Sequence, residues 1–261
     1  MHAKKSYGQH FLKDDGIAER IAASLLQAEQ TGRVLEVGPG MGMLTKYLLA
    51  RSDYETFGVE ADRDMVDFLK KNYPDFAQSR LVAKDFLDFD APAFFEGKQF
   101  CLIGNFPYNI STQILFRLLD WRSQIPEMVG MYQKEVADRI ASPPGSRVYG
   151  ITSVLAQAFY RTESLFNVEP GSFNPPPKVR SSVIRLTRKE DFELGCDETR
   201  FRTLVKTAFG QRRKMLRNTL KPFFPNDLLM SDPYFEKRPE TLSWEEYVAL
   251  TARCANNQIN N

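Results

Sequence analysis

Four consecutive residues, Asn105-Phe106-Pro107-Tyr108, combine an amide, an apolar residue, a proline and an aromatic ring. Asn105 offers a side-chain carbonyl as acceptor. Pro107 fixes its own φ, lacks an N–H and pushes Phe106 toward an extended conformation, which turns nearby carbonyls outward. Tyr108 adds a ring face. Two acceptors, Asn105 Oδ1 and the Phe106 carbonyl, beside a stacking surface suit a planar heterocycle with an exocyclic amino group. The same four residues also read as a plain strand-to-helix turn with Tyr108 in the core, so the other motifs decide.

A second group surrounds Gly38-Pro39-Gly40-Met41-Gly42. Glycines at alternate positions let a ligand approach the backbone closely. The dinucleotide fingerprint wants a further glycine where Met43 stands. Glu36, two positions before the first glycine, suits a cationic ligand and would repel a pyrophosphate. Acid, apolar residue, then Gly-x-Gly-x-Gly resembles the first motif of S-adenosylmethionine-dependent methyltransferases. Glu60 lies about twenty residues beyond the loop, where a carboxylate accepts from ribose hydroxyls; it also reads as a surface acid or a helix cap. Asp85 is placed to accept from an adenine amino group, with Phe86 against the ring. Phe173 precedes three successive prolines, a stiff segment that makes it either a second stacking wall or a plug for the core.

The elements that position these residues follow from hydrophobic runs. Strands are expected at 34–37, 56–59, 81–83, 100–103, 127–132, 165–168 and 182–186. The glycine loop follows the first, Glu60 the second, Asp85 the third and Asn105 the fourth, each at a strand end facing a helix. That is where open parallel sheets put their chemistry. Helices are expected from Asp14 or Asp15 to about Gln30, and over 43–50, 110–121 and 148–160. After Arg188 the character changes: 189–198 reads as a charged linker and 199–255 as all-helical, interrupted by Gly210. A helix over 211–221 would place Arg213 and Arg217 one turn apart. Ser243-Trp244-Glu245-Glu246 is a capping box opening a last helix.

Composition narrows the classes. The chain has 261 residues, 43% hydrophobic and 26% charged, with net charge +2; this is an ordinary globular balance. No apolar run approaches a membrane span, and the polar, basic N-terminus lacks the core of a signal peptide. Cys101, Cys196 and Cys254 are too scattered for a disulfide framework or a metal site and fit a reducing cytoplasm. His2 and His10 have no partners at ligand spacing, so no metal is expected. Eight basic residues and no acidic one lie between Arg200 and Lys221, the electrostatic footprint of a polyanion partner.

Taken in order, Gly8-Gln-His-Phe-Leu12, Glu36-Val-Gly-Pro-Gly40, Glu60, Asp85, Asn105-Phe-Pro-Tyr108, Phe173-Asn-Pro-Pro-Pro-Lys-Val179 and Phe209-Gly-Gln-Arg-Arg-Lys-Met-Leu-Arg-Asn218 resemble the small-subunit ribosomal RNA adenine N6,N6-dimethyltransferases. His10 stands where that family more often has Asn, and Phe106 where Leu or Ile is commoner. The resemblance implies an α/β, Rossmann-like class I methyltransferase sheet over residues 1–190 and a small all-helical, RNA-contacting domain over 191–261. It implies S-adenosylmethionine as cofactor, lined by His10, Leu12, Gly38, Glu60, Asp85 and Asn105, to which the residue reading adds Gly40 and Phe86. It implies dimethylation of two adjacent adenosines near the 3′ end of 16S rRNA within the small subunit, late in its assembly, by a cytoplasmic monomer. Asn105, Phe106, Pro107, Tyr108 and Phe173 would form the catalytic pocket. Lys4, Lys5, Arg212, Arg213, Lys214 and Arg217 would hold RNA phosphates. Rival readings are a large-subunit rRNA adenine methylase, which the segment Gln211 to Arg217 disfavours, a DNA adenine methylase, a non-catalytic RNA-binding assembly factor, and an oxidoreductase, disfavoured by Met43.

Overall fold

A central strand that is apolar on both faces needs cover on both sides, and the sheet is built around two of them. The computed structural model describes residues 10–191 and 193–257, without the side chains of the last three. Its strands are β1 (Phe11–Leu12), β2 (Arg33–Val37), β3 (Glu55–Glu60), β4 (Leu81–Ala83), β5 (Cys101–Asn105), β6 (Glu127–Gln133), β7 (Tyr160–Val168), β8 (Phe173–Asn174) and β9 (Ser181–Arg188). Seven of them form one sheet in the order β4-β3-β2-β5-β6-β9-β7. β4, β3, β2, β5 and β6 run parallel, and β9 is antiparallel to β6. Val34, Leu35, Val37 and residues Cys101, Leu102 and Ile103 are buried, as central parallel strands require.

Strand order places the site. From β2 the chain winds outward through β3 to β4, then returns to the other side of β2 as β5. β2 and β5 therefore flank the switch point, where ligands bind outside the carboxyl ends of the strands. Glu36 is opposite Ile103 in the register, so the glycine loop and the Asn105 loop leave the same edge side by side.

Two segments depart from the expected helices. The first helix is Asp15–Ala22, capped by Asp14, whose Oδ1 accepts from the Ile17 amide at 3.1 Å. It stops short of Gln30, and Ala28–Thr31 is a separate turn of helix. The cause lies about a hundred residues away: the buried Glu127 carboxylate of β6 accepts from the Leu26 and Gln27 amides, each at 2.9 Å. Those N–H groups are thereby satisfied outside any helix. Over 211–221 only Leu216–Thr219 is helical, and Gln211 to Met215 form a turn and an extended residue. Leu216 is buried and its amide donates to the Lys237 carbonyl at 2.9 Å, which holds the segment away from a continuous helix. Arg213 and Arg217 accordingly do not share a helical face.

The chain divides into two compact units: the N-terminal part to Ala137 with Thr162–Arg188, and Asp138–Arg161 with Lys189 onward. The sequence predicts one boundary near residue 190; helix Ile151–Phe159 falls in the second unit with the C-terminal helices. Within that unit Phe201, Leu204, Val205 and Ala208 of helix Glu198–Gly210 are buried together with Tyr247 and Leu250 of helix Trp244–Asn257. The capping box opens that last helix: the Ser243 amide donates to Glu246 Oε2 at 2.9 Å, and the Glu246 amide to Ser243 Oγ at 3.3 Å.

Candidate active site

A cavity opens at the carboxyl ends of β2, β3 and β5, within the first unit. His10, Leu12, Gly38, Gly40, Glu60, Asp85, Phe86 and the run Asn105 to Tyr108 all line it. So do Glu36, Phe11 and Met43.

The glycine loop is a backbone cradle. Gly38 and Gly40 have φ of 70° and 57°, a left-handed region costly for residues with a Cβ. The Gly38 amide donates to the Val59 carbonyl at 2.9 Å, tying the loop to β3. The Gly40 amide donates to Glu60 Oε2 at 2.9 Å, and Glu60 Oε1 accepts from the Asp62 amide at 2.9 Å. Burial pushes the Glu60 carboxyl above its ordinary value, while those two backbone bonds pull it back. Each oxygen keeps a second lone pair, enough to take a ribose hydroxyl. Glu60→Ala is expected to weaken S-adenosylmethionine binding by about 1–3 kcal/mol, because it removes an acceptor from buried donors. Calorimetric titration returning wild-type affinity would refute the role.

Asp85 sits after β4, exposed, with Oδ1 accepting from the Leu87 amide at 2.9 Å and Oδ2 without a described partner. Phe86 beside it is buried edge-on to Trp121, ring centroids 5.6 Å apart. Glu36, on β2, is only 2% exposed. Its Oε2 accepts from Thr45 Oγ1 at 2.7 Å, and burial pushes its pKa up to about 8, with Glu60 adding to the rise and Thr45 opposing it.

The Asn105 loop is held from three directions. Asn105 Nδ2 donates to the His10 carbonyl at 3.1 Å, which fixes the amide and leaves Oδ1 without a described partner. The Phe106 ring points inward, 1% exposed, against Tyr132, and its amide donates to the Met131 carbonyl at 3.3 Å. The ring fills space that Gly104 and Gly130 leave: a Cβ on either would lie 2.8 Å or 2.2 Å from it. Pro107 closes the turn, its carbonyl accepting from the Ile110 amide at 3.1 Å ahead of helix Ser111–Asp120. Tyr108 is anchored by a hydroxyl–hydroxyl bond to Ser181 at 2.6 Å, and burial raises the pKa of its phenol. The sequence reading missed Ser181, since a serine at a strand start carries no signal of its own.

His10 is the ring that meets Tyr108, with centroids 5.2 Å apart and planes at 35°. His10 Nδ1 lies 2.8 Å from the Pro175 carbonyl. A carbonyl only accepts, so Nδ1 carries the proton. Phe173 is not brought to the cavity. It is 1% exposed, pairs with Leu12 across β1 and β8, and packs among Leu12, Ile21, Val129 and Val183. Its role as a second stacking wall is therefore corrected to a core plug: the apolar cluster under the N-terminal strand captures the ring.

Of the expected phosphate ligands, Lys4 and Lys5 lie outside the described residues. Arg212 pairs with Glu240 at 3.9 Å and donates to the Ser146 carbonyl at 3.1 Å. Arg217 pairs with Glu236 at 3.2 Å. Arg213 and Lys214 are exposed and form no ion pair among the described residues.

Parallel order around a switch point, an antiparallel β9 beside β6, a glycine cradle and carboxylates at successive strand ends define a Rossmann-like methyltransferase. The residues present fit S-adenosylmethionine: Gly38 and Gly40 leave room at the backbone, and Glu36 Oε1 and Asn105 Oδ1 are acceptors still open in the cavity. The family model described as ribosomal RNA adenine dimethylase matches residues 1–233, and the chain belongs to that family. It is 54% identical to the ribosomal RNA small subunit methyltransferase A of Flavobacterium johnsoniae, over 96% of this chain and 95% of the relative. It is 53% identical to that of Parabacteroides distasonis, over 95% and 92%. A dimethyladenosine transferase from Plasmodium falciparum has the same architecture, with a TM-score of 0.79 at 26% identity over 95% of this chain and 98% of that one.

Proposed function

We infer that this chain is an S-adenosylmethionine-dependent rRNA adenine N6,N6-dimethyltransferase that acts on 16S rRNA of the small subunit. We further propose that its substrate is a pair of adjacent adenosines near the 3′ end, and that it works as a cytoplasmic monomer late in subunit assembly. No described helix is long and apolar enough to cross a membrane. The observation that carries the reading is the Asn105 amide, held by its Nδ2 so that Oδ1 has no described partner in a cavity that Tyr108 also lines.

The N6 lone pair of adenine is delocalised into the ring and is a poor nucleophile. Asn105 Oδ1 and the Phe106 carbonyl hold its two N–H bonds out of the ring plane, so the lone pair localises on nitrogen. When bound, S-adenosylmethionine supplies an electrophilic methyl group. Tyr108 stacks on the base and fixes it for in-line attack, and such positioning supplies much of the rate. No strong base is needed: the methylated ammonium is acidic, and water takes its proton. The second transfer finds one N–H left, so the pocket accepts a methyl where it held a hydrogen bond.

The test is labelled methyl transfer onto under-methylated small subunits and onto naked rRNA, followed by nucleoside analysis. N6,N6-dimethyladenosine is the expected product. No transfer to either substrate overturns the reading in favour of a non-catalytic assembly factor.

Arg212 and Arg217 each pair with an acid of the same unit, which supports a part for them in holding the helical unit together. Arg213 and Lys214 are the cations of the segment with no ion-pair partner among the described residues. Replacing both by Ala is expected to weaken rRNA binding and to flatten its salt dependence by about 0.7–0.9 for each phosphate no longer neutralised. Melting temperature should hold. Arg217→Ala should lower the melting temperature slightly, since a half-exposed pair contributes about 0–1 kcal/mol, with the salt slope unchanged. RNA affinity across a salt series, measured with melting curves on the same preparations, checks both; an unchanged slope in the double variant removes phosphate binding from Arg213 and Lys214.

A further inference from the structure

Asp85 reaches the cavity from a short, exposed piece of chain. The turn behind it, Phe86–Asp88, is three residues of 3-10 helix. The bond from the Leu87 amide to Asp85 Oδ1, at 2.9 Å, shapes the turn from within and ties it to no other element. Helix Ser111–Asp120, which follows the Asn105 loop, packs against it. Ile114, Leu115, Leu118 and Leu119 of that helix are buried. Arg117 and Trp121, one helical turn apart, meet the Asp85 turn instead. Arg117 Nη2 donates to the Leu87 carbonyl at 2.5 Å, and its guanidinium carbon lies 5.4 Å from the centre of the Trp121 ring. Trp121 in turn meets the buried Phe86 ring edge-on. Arg117 forms no ion pair among the described residues, so it acts on the turn through the backbone carbonyl and the indole. A guanidinium is planar with donors in fixed directions, which suits it to place a carbonyl.

We propose that Arg117 is a positioning residue that sets the base preference of the cofactor site: by holding the Leu87 carbonyl it fixes the direction of the Asp85 carboxylate. The inference rests on the cofactor reading above, with Asp85 as acceptor for the adenine amino group. A carboxylate distinguishes purines only when it cannot turn away. Fixed in place, it accepts from a 6-amino group and opposes the lone pairs of a 6-oxo group. Free to swing, it takes the N1–H that a 6-oxo purine offers next door, and the two bases become near equals. An exposed acid on a turn held only from within is free to swing. The bond from Arg117 removes that freedom, and the Trp121 ring between Arg117 and Phe86 keeps the guanidinium from leaving. The helix that starts at the target-base loop thus also holds the turn that selects the cofactor's base.

The test is calorimetry with S-adenosylhomocysteine and with S-inosylhomocysteine, which differs only in carrying a 6-oxo purine. The readout is the ratio of the two affinities, which a general loosening of the fold leaves alone. Wild type should prefer the adenine ligand by about 30-fold, the scale of one acceptor matched or mismatched to its partner. Arg117→Met keeps the aliphatic stem against Trp121 and removes the donor; its ratio should fall to about threefold. Arg117→Lys can still donate to the Leu87 carbonyl and should restore a ratio of about tenfold or more. Asp85→Ala should bring the ratio near one, and adding Arg117→Met to it should change the ratio no further, because Arg117 acts only through Asp85. A wild-type ratio in Arg117→Met overturns the proposal alone, as does an equal weakening of both ligands with a lowered melting temperature, which makes the arginine a plain structural tie. A ratio near one in wild type overturns Asp85 as the amino acceptor, and no binding of S-adenosylhomocysteine by wild type overturns the cofactor reading; the proposal falls with either.

Discussion

Asn105→Ala is expected to lower the single-turnover rate of methyl transfer by about 10²–10³-fold, the range seen when one aligned polar group is removed from a charge-developing site. Two things go at once. The open acceptor Oδ1 is lost, so one N–H of the target amine has nothing to hold it out of plane. The donor Nδ2 is lost as well, and the His10 carbonyl it engages at 3.1 Å is released. Asn105→Asp separates the two. It keeps an acceptor but removes the donor and sets a carboxylate against a carbonyl, so it should fail about as badly as Ala. Cofactor affinity should fall far less than the rate in both, since Gly40 and Glu60 hold each other without Asn105. A rate within about threefold of wild type, with both substrates saturating, would remove Asn105 from the chemistry.

Gly130→Ala should damage both stability and activity. The added Cβ would stand 2.2 Å from the Phe106 ring, a distance no side chain tolerates. Gly130 lies in β6 between β5 and β9, opposite Gly104 on one side and Ile184 on the other, so the backbone has little freedom to retreat. The ring must move, and Asn105 and Tyr108 move with it. Overpacking of this kind costs about 1–3 kcal/mol, which for a chain of this size lowers the melting temperature by about 2–4 °C per kcal/mol. Activity should drop further than stability. Phe106→Leu in the same background should restore both, because the shorter side chain leaves space for the new methyl. The double variant tests coupling directly: strict additivity of the two melting shifts would mean that Phe106 and Gly130 do not share this space.

The parts of the fold legible in the sequence are those where local pattern and final environment agree. The runs at 34–37 and 100–103 are apolar on both faces because both faces are covered, and they appear as β2 and β5 with a residue or so of adjustment. The glycine loop is legible because left-handed backbone at Gly38 and Gly40 favours the residue type itself. What escapes a reading of the sequence depends on partners distant along the chain. The first helix ends early because Glu127 takes the Leu26 and Gln27 amides, and no window around residue 25 contains that acid. Phe173 reads as a ring waiting for a ligand because its capture by Leu12 and Val183 is a long-range event. The basic segment promises a helix from its composition. Arg212 and Arg217 instead meet Glu240 and Glu236, and Arg213 and Lys214 remain in water.

The hydrogen bonds around His10 have a consequence for the order in which the working enzyme comes into being. The His10 carbonyl orients Asn105, and its imidazole is tethered to Pro175, 165 residues further along. The strand formed by Phe11 and Leu12 finds its only described partner at Phe173 and Asn174. During synthesis from the N-terminus, β2 to β6 can pair and the glycine loop can form while the ribosome is still translating the second half. Phe11 and Leu12 have no described strand to pair with until Phe173 and Asn174 have emerged. A nascent chain halted before that point holds a cofactor cradle without the clamp that aims its amide, and long-range closures of this kind come late in folding. Competence for methyl transfer is therefore acquired only once Pro175 has been translated, later than the five parallel strands that carry the cradle and the Asn105 loop.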